Sequence, residues 1–124
     1  MTEKDIKIGD YFTVNGEVVK VQDTGPFLCG IWGSQENFHV VENEKLKPIP
    51  LTKEILEKNE WKYSEPFNDW EVLNDDRCPR LYEGGKGWLV RPKGGNYDLC
   101  AIAYVHELQH LLWVLGEDSD LKIV

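Results

Sequence analysis

Turn residues placed between short runs of β-branched and aromatic residues constrain this chain more than any other feature. Asn15-Gly16 separates two such runs, and an Asn-Gly pair in this position is typical of a type I′ hairpin turn, in which both central residues need positive φ. Residues 23–26 and Gly33-Ser34 supply the next two turns. The strands predicted on either side of these turns are residues 8–14, 17–21, 27–32 and 37–41. Four short strands at this spacing predict a small, strongly curved antiparallel sheet or an SH3-like barrel.

A short helix is predicted to follow, and then a second β-rich region. The two prolines in residues 48–51 indicate an extended connector. Thr52 has the side chain of an N-cap for a helix over residues 53–60. Further strands are predicted at residues 70–73, 80–82, 87–91 and 97–102, with glycine-rich turns at 83–86 and 92–96.

The C-terminal helix is predicted over residues 103–115, and Gly116 is expected to end it. Its expected core face is a continuous apolar stripe formed by Tyr104, Leu108, Leu111, Leu112 and Leu115. Alternation in residues 120–124 predicts a short edge strand.

The predicted fold class is α+β. A curved N-terminal antiparallel sheet (an SH3-like small barrel) is followed by a short middle helix and a second antiparallel hairpin sheet, on which the C-terminal helix packs. A chain of 124 residues fits a single compact domain over residues 1–124, in which residues 1–48 would be a barrel-like lobe and residues 49–124 an α+β lobe.

Charge and composition exclude several classes of function. The net charge of −8, from 14 basic and 22 acidic residues, argues against direct nucleic-acid binding, which depends on neutralising phosphates with Lys and Arg. No apolar run approaches the roughly 20 residues that cross a bilayer, and the charged N-terminus contains no secretory segment. We therefore expect no membrane association and a cytoplasmic location. Three widely spaced cysteines predict neither a disulfide framework nor a thiolate zinc site.

Residues 106–110 read His-Glu-x-x-His on the predicted C-terminal helix. In zinc hydrolases this spacing places two imidazoles on one helix face, and the glutamate acts as general base. His106 and His110 would then be metal ligands and Glu107 the catalytic base. A third ligand is missing from the sequence context, because Trp113 and Gly116 stand where the longer metzincin motif has Gly and His. Zinc is therefore the cofactor of an alternative interpretation, and the favoured interpretation has no cofactor.

Three segments resemble a family of small uncharacterised proteins encoded by phages and prophages of gut Bacteroidales. They are residues 6–11 (Ile-Lys-Ile-Gly-Asp-Tyr), 48–56 (Pro-Ile-Pro-Leu-Thr-Lys-Glu-Ile-Leu) and 104–111 (Tyr-Val-His-Glu-Leu-Gln-His-Leu). The family's C-terminal block reads Tyr-Val-His-x-Leu-Gln-Asn/His-Leu-Tyr and continues to Thr-Gly-Glu-Glu-Leu, from which residues 115–118 here depart modestly. The resemblance implies that Glu107 and His110 are not required metal ligands.

The function expected from these observations is that of a non-enzymatic accessory protein of a phage or mobile element. It would bind a host protein or sequester a small-molecule ligand, and counter-defence is one such role. The candidate contact residues are tryptophans, since this residue type is enriched at binding hot spots, namely Trp32, Trp70, Trp88 and Trp113. The alternatives are a zinc-dependent hydrolase and a virion or scaffold component. The sequence does not indicate an oligomeric state.

Overall fold

The computed structural model describes residues 5–33, 37–73, 75, 77–85, 87–95 and 97–123. The fold is α+β, as predicted, with two antiparallel sheets, a short middle helix and a C-terminal helix. The chain divides into two compact units, Met1–Ile49 and Pro50–Val124; the sequence placed its lobe boundary between residues 48 and 49. The single compact domain stays a prediction.

The first unit contains a four-stranded antiparallel sheet with the strands in chain order. Its strands are β1 (Tyr11–Val14), β2 (Glu17–Asp23), β3 (Leu28–Trp32) and β4 (Phe38–Glu42). Asn15 has φ 52° and Gly16 has φ 82°, which confirms the predicted positive-φ turn between β1 and β2. β3 and β4 form the second predicted hairpin, although residues 34–36 of its turn lie outside the described part.

One face of this sheet covers the core of the first unit, whose members are buried apolar side chains: Ile6, Phe12, Val19, Val21, Cys29, Ile31 and Leu46. The SH3-like barrel prediction is wrong, because the sheet is not closed. A single isolated bridge joins Thr13 of β1 to Lys47, which follows β4 and a 3-10 turn (Asn43–Lys45). Within the described part of the chain, β4 pairs only with β3, so closure, which requires paired edge strands, is not reached.

The second unit contains a five-stranded antiparallel sheet, also in chain order. Its strands are β5 (Lys62–Ser64), β6 (Asp69–Glu71), β7 (Arg80–Gly84), β8 (Gly87–Arg91) and β9 (Cys100–Ile102). The β7–β8 hairpin is confirmed. β5 was not predicted, because three residues that contain Lys, Tyr and Ser show little β pattern before they pair with β6.

The middle helix, α1, spans Lys53–Lys58. The Thr52 hydroxyl oxygen accepts a hydrogen bond of 3.3 Å from the amide of Ile55, which confirms the predicted N-cap. α1 ends two residues earlier than predicted, because Glu60 takes a left-handed conformation with φ 68°. The amide of Trp61 then donates to the carbonyl of Leu56 at 3.0 Å, as in a Schellman motif.

The C-terminal helix, α2, spans Val105–Val114 and ends as predicted at Gly116, which has φ 76°. The predicted core face is correct for Leu108 and Leu112, which are buried, and wrong for Tyr104, which is 39% exposed. Buried His106 and Gln109 lie on the helix side that takes its place. The buried face of α2 is therefore rotated away from Tyr104 and towards His106 and Gln109, relative to the face predicted from the apolar stripe.

The segment after α2 does not form the predicted edge strand in its described residues, 120–123. It is held by Asn59 instead. The Asn59 side-chain oxygen accepts from the amide of Lys122 at 2.7 Å, and its amide nitrogen donates to the Lys122 carbonyl at 2.8 Å. One side chain thus satisfies the backbone groups that a neighbouring strand would have paired.

Candidate functional site

The outward side of β3 and β4 carries a group of exposed apolar side chains. Alternation along β3 turns Cys29 and Ile31 towards the core, so Leu28 and Trp32 point away from it. Antiparallel pairing places Trp32 opposite Phe38 and Gly30 opposite Val40, and directly opposed residues share a face. We call Leu28, Trp32, Phe38 and Val40 the outer apolar face. Their exposed fractions are 50%, 43%, 53% and 60%.

Gly30 determines how the ring of Phe38 lies on this face. A Cβ atom added at Gly30 would lie 2.5 Å from Cζ of Phe38, which is well inside van der Waals contact. The Phe38 ring therefore covers the backbone of Gly30, and only glycine allows this close approach. The Phe38 ring therefore packs against the sheet and does not extend freely into solvent.

A shallow depression of about 240 Å³ lies beside the Phe38 ring. Its lining includes Leu28, Gly30, Phe38 and Val40 together with Asp23. The Asp23 carboxylate accepts a hydrogen bond of 2.9 Å from the amide of Thr24, which holds it at the rim. The outer apolar face therefore combines an apolar hollow with a negative charge.

The other half of the same sheet face is polar. Pairing places Lys20 of β2 opposite both Trp32 and Tyr11, and the Lys20 ammonium lies 5.5 Å from the centre of the Tyr11 ring, within cation–π range. The positive charge of Lys20 thus lies on β2 beside Trp32, whereas Asp23 and Glu42 place negative charge at the opposite end of the apolar half, beside Gly30 and Leu28.

β4 is an edge strand, and its sequence Phe-His-Val-Val-Glu contains neither of the residues, lysine and proline, that most often protect such edges. Phe38, His39 and Val40 are all exposed. An exposed edge next to an apolar face can accept an added strand from another chain.

Two of the four predicted contact tryptophans are not surface residues. Trp70 is 6% exposed and Trp88 is 5% exposed. Trp88 donates a buried hydrogen bond of 2.9 Å to the carbonyl of Leu51, and the Trp70 ring centre lies 5.5 Å from that of Tyr63. Both are core residues of the second unit, so the prediction that they are surface contacts is wrong.

The other two predicted tryptophans are exposed. Trp32 lies on the outer apolar face, and Trp113 lies on α2 with 64% of its surface exposed. Their roles in binding stay predictions. Sequence reasoning missed Leu28, Phe38 and Val40 as surface residues, because an apolar residue in a β-strand is usually taken as core.

The two histidines of the His-Glu-x-x-His motif lie close together on α2. His106 is buried, at 6% exposed, and not part of an open face. Its ring centre lies 5.5 Å from that of His110 in an edge-to-face arrangement and 6.0 Å from that of Tyr104.

Glu107 has a structural role that its position in the motif does not suggest. Its Oε1 atom accepts hydrogen bonds from the amides of Ala103 at 2.9 Å and Tyr104 at 3.1 Å, the helix-capping role of an N3 glutamate. Among the described residues, no group of three His, Cys, Asp or Glu side chains is arranged to hold a metal ion.

Of the three cysteines, Cys100 is expected to react first with a thiol reagent. Cys100 is exposed, whereas Cys29 and Cys78 are buried. Burial raises the pKa of Cys78 to about 11, and the charges of Asp75 and Glu117 add to the effect, so its thiolate is scarce at neutral pH. Intact-mass analysis during iodoacetamide treatment should show one early adduct, on Cys100, and none in Cys100→Ser. An early adduct on Cys78 would contradict the structure.

No family model, no curated protein and no solved structure matches this chain. None of the helices in the described part of the chain is long and apolar enough to cross a membrane.

Proposed function

We propose that this protein is a non-enzymatic binding protein that docks a partner protein on its outer apolar face. The exposure of Leu28, Trp32, Phe38 and Val40 on one side of two adjacent strands carries this proposal. Contiguous apolar surface of this kind marks interaction sites on soluble domains, and removing it from water contributes roughly 25 cal/mol per Å². Trp32 and Phe38, which face each other across the strands, are the expected anchors.

The charges around the face indicate the chemistry of the partner. Residues 1–49 contain five lysines and eight acidic residues, a net charge of −3. Asp23 lies at the rim of the apolar hollow, and Glu42 is paired with Leu28. A partner segment with an arginine or lysine next to apolar residues complements this arrangement, because the side-chain stem fills the hollow while the charge meets Asp23.

The exposed edge of β4 supports an extended conformation for that segment. A strand added along Phe38–Glu42 gains main-chain hydrogen bonds, and alternate side chains lie on the outer apolar face.

The biological setting we propose is that of a phage or mobile-element accessory protein acting on a host protein in the bacterial cytoplasm, with counter-defence as one role. Resemblance of residues 6–11, 48–56 and 104–111 to phage-encoded proteins supports the setting. The acidic charge supports a basic protein partner over direct contact with nucleic acid.

Selection from a random peptide library tests this function without assuming a partner. We expect the purified full-length protein to enrich peptides with Arg or Lys beside apolar residues. Trp32→Ala should weaken the best peptide by about tenfold or more, as for a hot-spot residue. Asp23→Asn should weaken basic peptides more than their neutral analogues.

Trp113→Ala is the matched control, because the proposal assigns binding to the outer apolar face of the first unit, whereas Trp113, the other exposed tryptophan predicted as a contact, lies in the second unit. It should change peptide affinity by less than about twofold, provided that circular dichroism shows every variant folded. Equal losses in Trp32→Ala and Trp113→Ala, or enrichment of acidic peptides, would contradict the proposal.

A further inference from the structure

A second concave site lies wholly within the second unit, at the glycine-rich end of the β7–β8 hairpin. It has a volume of about 390 Å³, within the range of about 300–1,000 Å³ typical of small-ligand pockets. The hollow exists because Gly84, Gly87 and Ala103 place little or no side chain there. A Cβ atom at Gly87 would lie 2.6 Å from the carbonyl oxygen of Ile102, so this strand position requires glycine.

The floor and one wall of the hollow are apolar. Leu89 and Ala101 are directly paired between β8 and β9 and therefore share the sheet face that forms the floor. Tyr104, which precedes α2, supplies an aromatic wall. Such a surface favours a flat or compact apolar group.

Glu107 places one fixed carboxylate at this apolar hollow. The bonds from the amides of Ala103 and Tyr104 to its Oε1 atom hold the side chain in place. A carboxylate offers about four acceptor positions over its two oxygens, so the group retains capacity to accept a donor from a ligand.

We propose that this hollow binds a small apolar amine, with the apolar part on Leu89, Ala101 and Tyr104 and the protonated amine on Glu107. An anionic ligand fits poorly, because Glu107 repels it and the amides of Ala103 and Tyr104 already donate to Glu107. A phosphate-binding loop is also excluded, since the Gly84-Gly85 segment connects two antiparallel strands and does not lead from a strand into a helix. This site is independent of the outer apolar face.

Three probes of similar size and different charge test the proposal: 2-phenylethylamine, 2-phenylethanol and 3-phenylpropanoate. Each is titrated into the isotope-labelled full-length protein and followed by amide chemical shifts. We expect saturable shifts with the amine, confined to residues 84–89 and 101–107, and binding at least about tenfold weaker for the alcohol and the carboxylate.

Two variants address the charge. Glu107→Gln keeps an oxygen that can accept the two capping bonds and removes the charge, so amine affinity should fall by about tenfold or more. Glu83→Gln is the matched control. Glu83 lies on the same hairpin, forms an ion pair of 3.0 Å with Lys53 and does not line the hollow. This substitution should change affinity by less than about twofold.

Two further variants test the shape of the hollow and the effect of a lysine near it in sequence. Ala101→Leu fills the floor from an exposed position and should abolish binding even if Glu107→Gln is unstable. Lys86 follows Gly85 in the sequence and lies outside the described residues; Lys86→Gln should leave amine binding unchanged or strengthen it. The proposal would be overturned if the protein bound 3-phenylpropanoate more tightly than the amine, or if Lys86→Gln abolished 3-phenylpropanoate binding. It would also be overturned if the amine showed no saturable binding.

Discussion

Replacing Trp88 by alanine is expected to destabilise the protein by about 3–5 kcal/mol, the range for a fully buried aromatic side chain. Trp88 is 5% exposed, and its indole N–H donates to the Leu51 carbonyl at 2.9 Å. The substitution leaves a cavity and an unpaired buried carbonyl, two costs that add. Urea unfolding followed by circular dichroism measures the change.

Trp88→Phe separates the two contributions. It retains most of the ring volume and removes the donor, so we expect a loss of about 1–3 kcal/mol. If Trp88→Ala lowered the free energy of unfolding by less than about 0.5 kcal/mol, the buried position of Trp88 would be contradicted. The surface position predicted from the sequence would then be the better description.

Leu108→Ala is expected to destabilise the protein by about 2–5 kcal/mol. Leu108 is 1% exposed at the centre of the buried side of α2, where neighbouring side chains cannot collapse fully into the space left behind. Leu112→Ala, at 4% exposed, should fall in the same range. Both are measured in the same urea titration.

Trp113→Ala is the control on the same helix. Trp113 is 64% exposed, so its replacement should change the free energy of unfolding by no more than about 0.5 kcal/mol. If Trp113→Ala were as destabilising as Leu108→Ala, the assignment of the buried side of α2 would be wrong.

Prediction from sequence succeeded where one or two residues decide the backbone. Asn15-Gly16 forms the expected turn, Thr52 caps α1, and Gly116 ends α2. It failed where a partner distant in sequence decides. β5 exists because it pairs with β6, and the C-terminal edge strand is missing from its described residues because Asn59 satisfies Lys122.

For the same reason, the sequence could not show which candidate site residues are buried. The His-Glu-x-x-His spacing is visible in sequence, but the capping bonds of Glu107 and the burial of His106 are not. Trp88 became a core residue because the Leu51 carbonyl and the apolar side chains of the second unit surround it. Residue type alone could not distinguish it from Trp32.

The sequence by itself determined the α+β class, the order of the main hairpins, the start of α1 and the end of α2, because turn and cap residues act on their own backbone. Only the tertiary structure decided which side of β3 and β4 is buried. A strand offers two alternating sets of side chains, and both sets of β3 contain apolar residues. Cys29 and Ile31 are the buried set, and they lie in the core with Ile6, Phe12 and Leu46. That choice leaves the outer apolar face exposed.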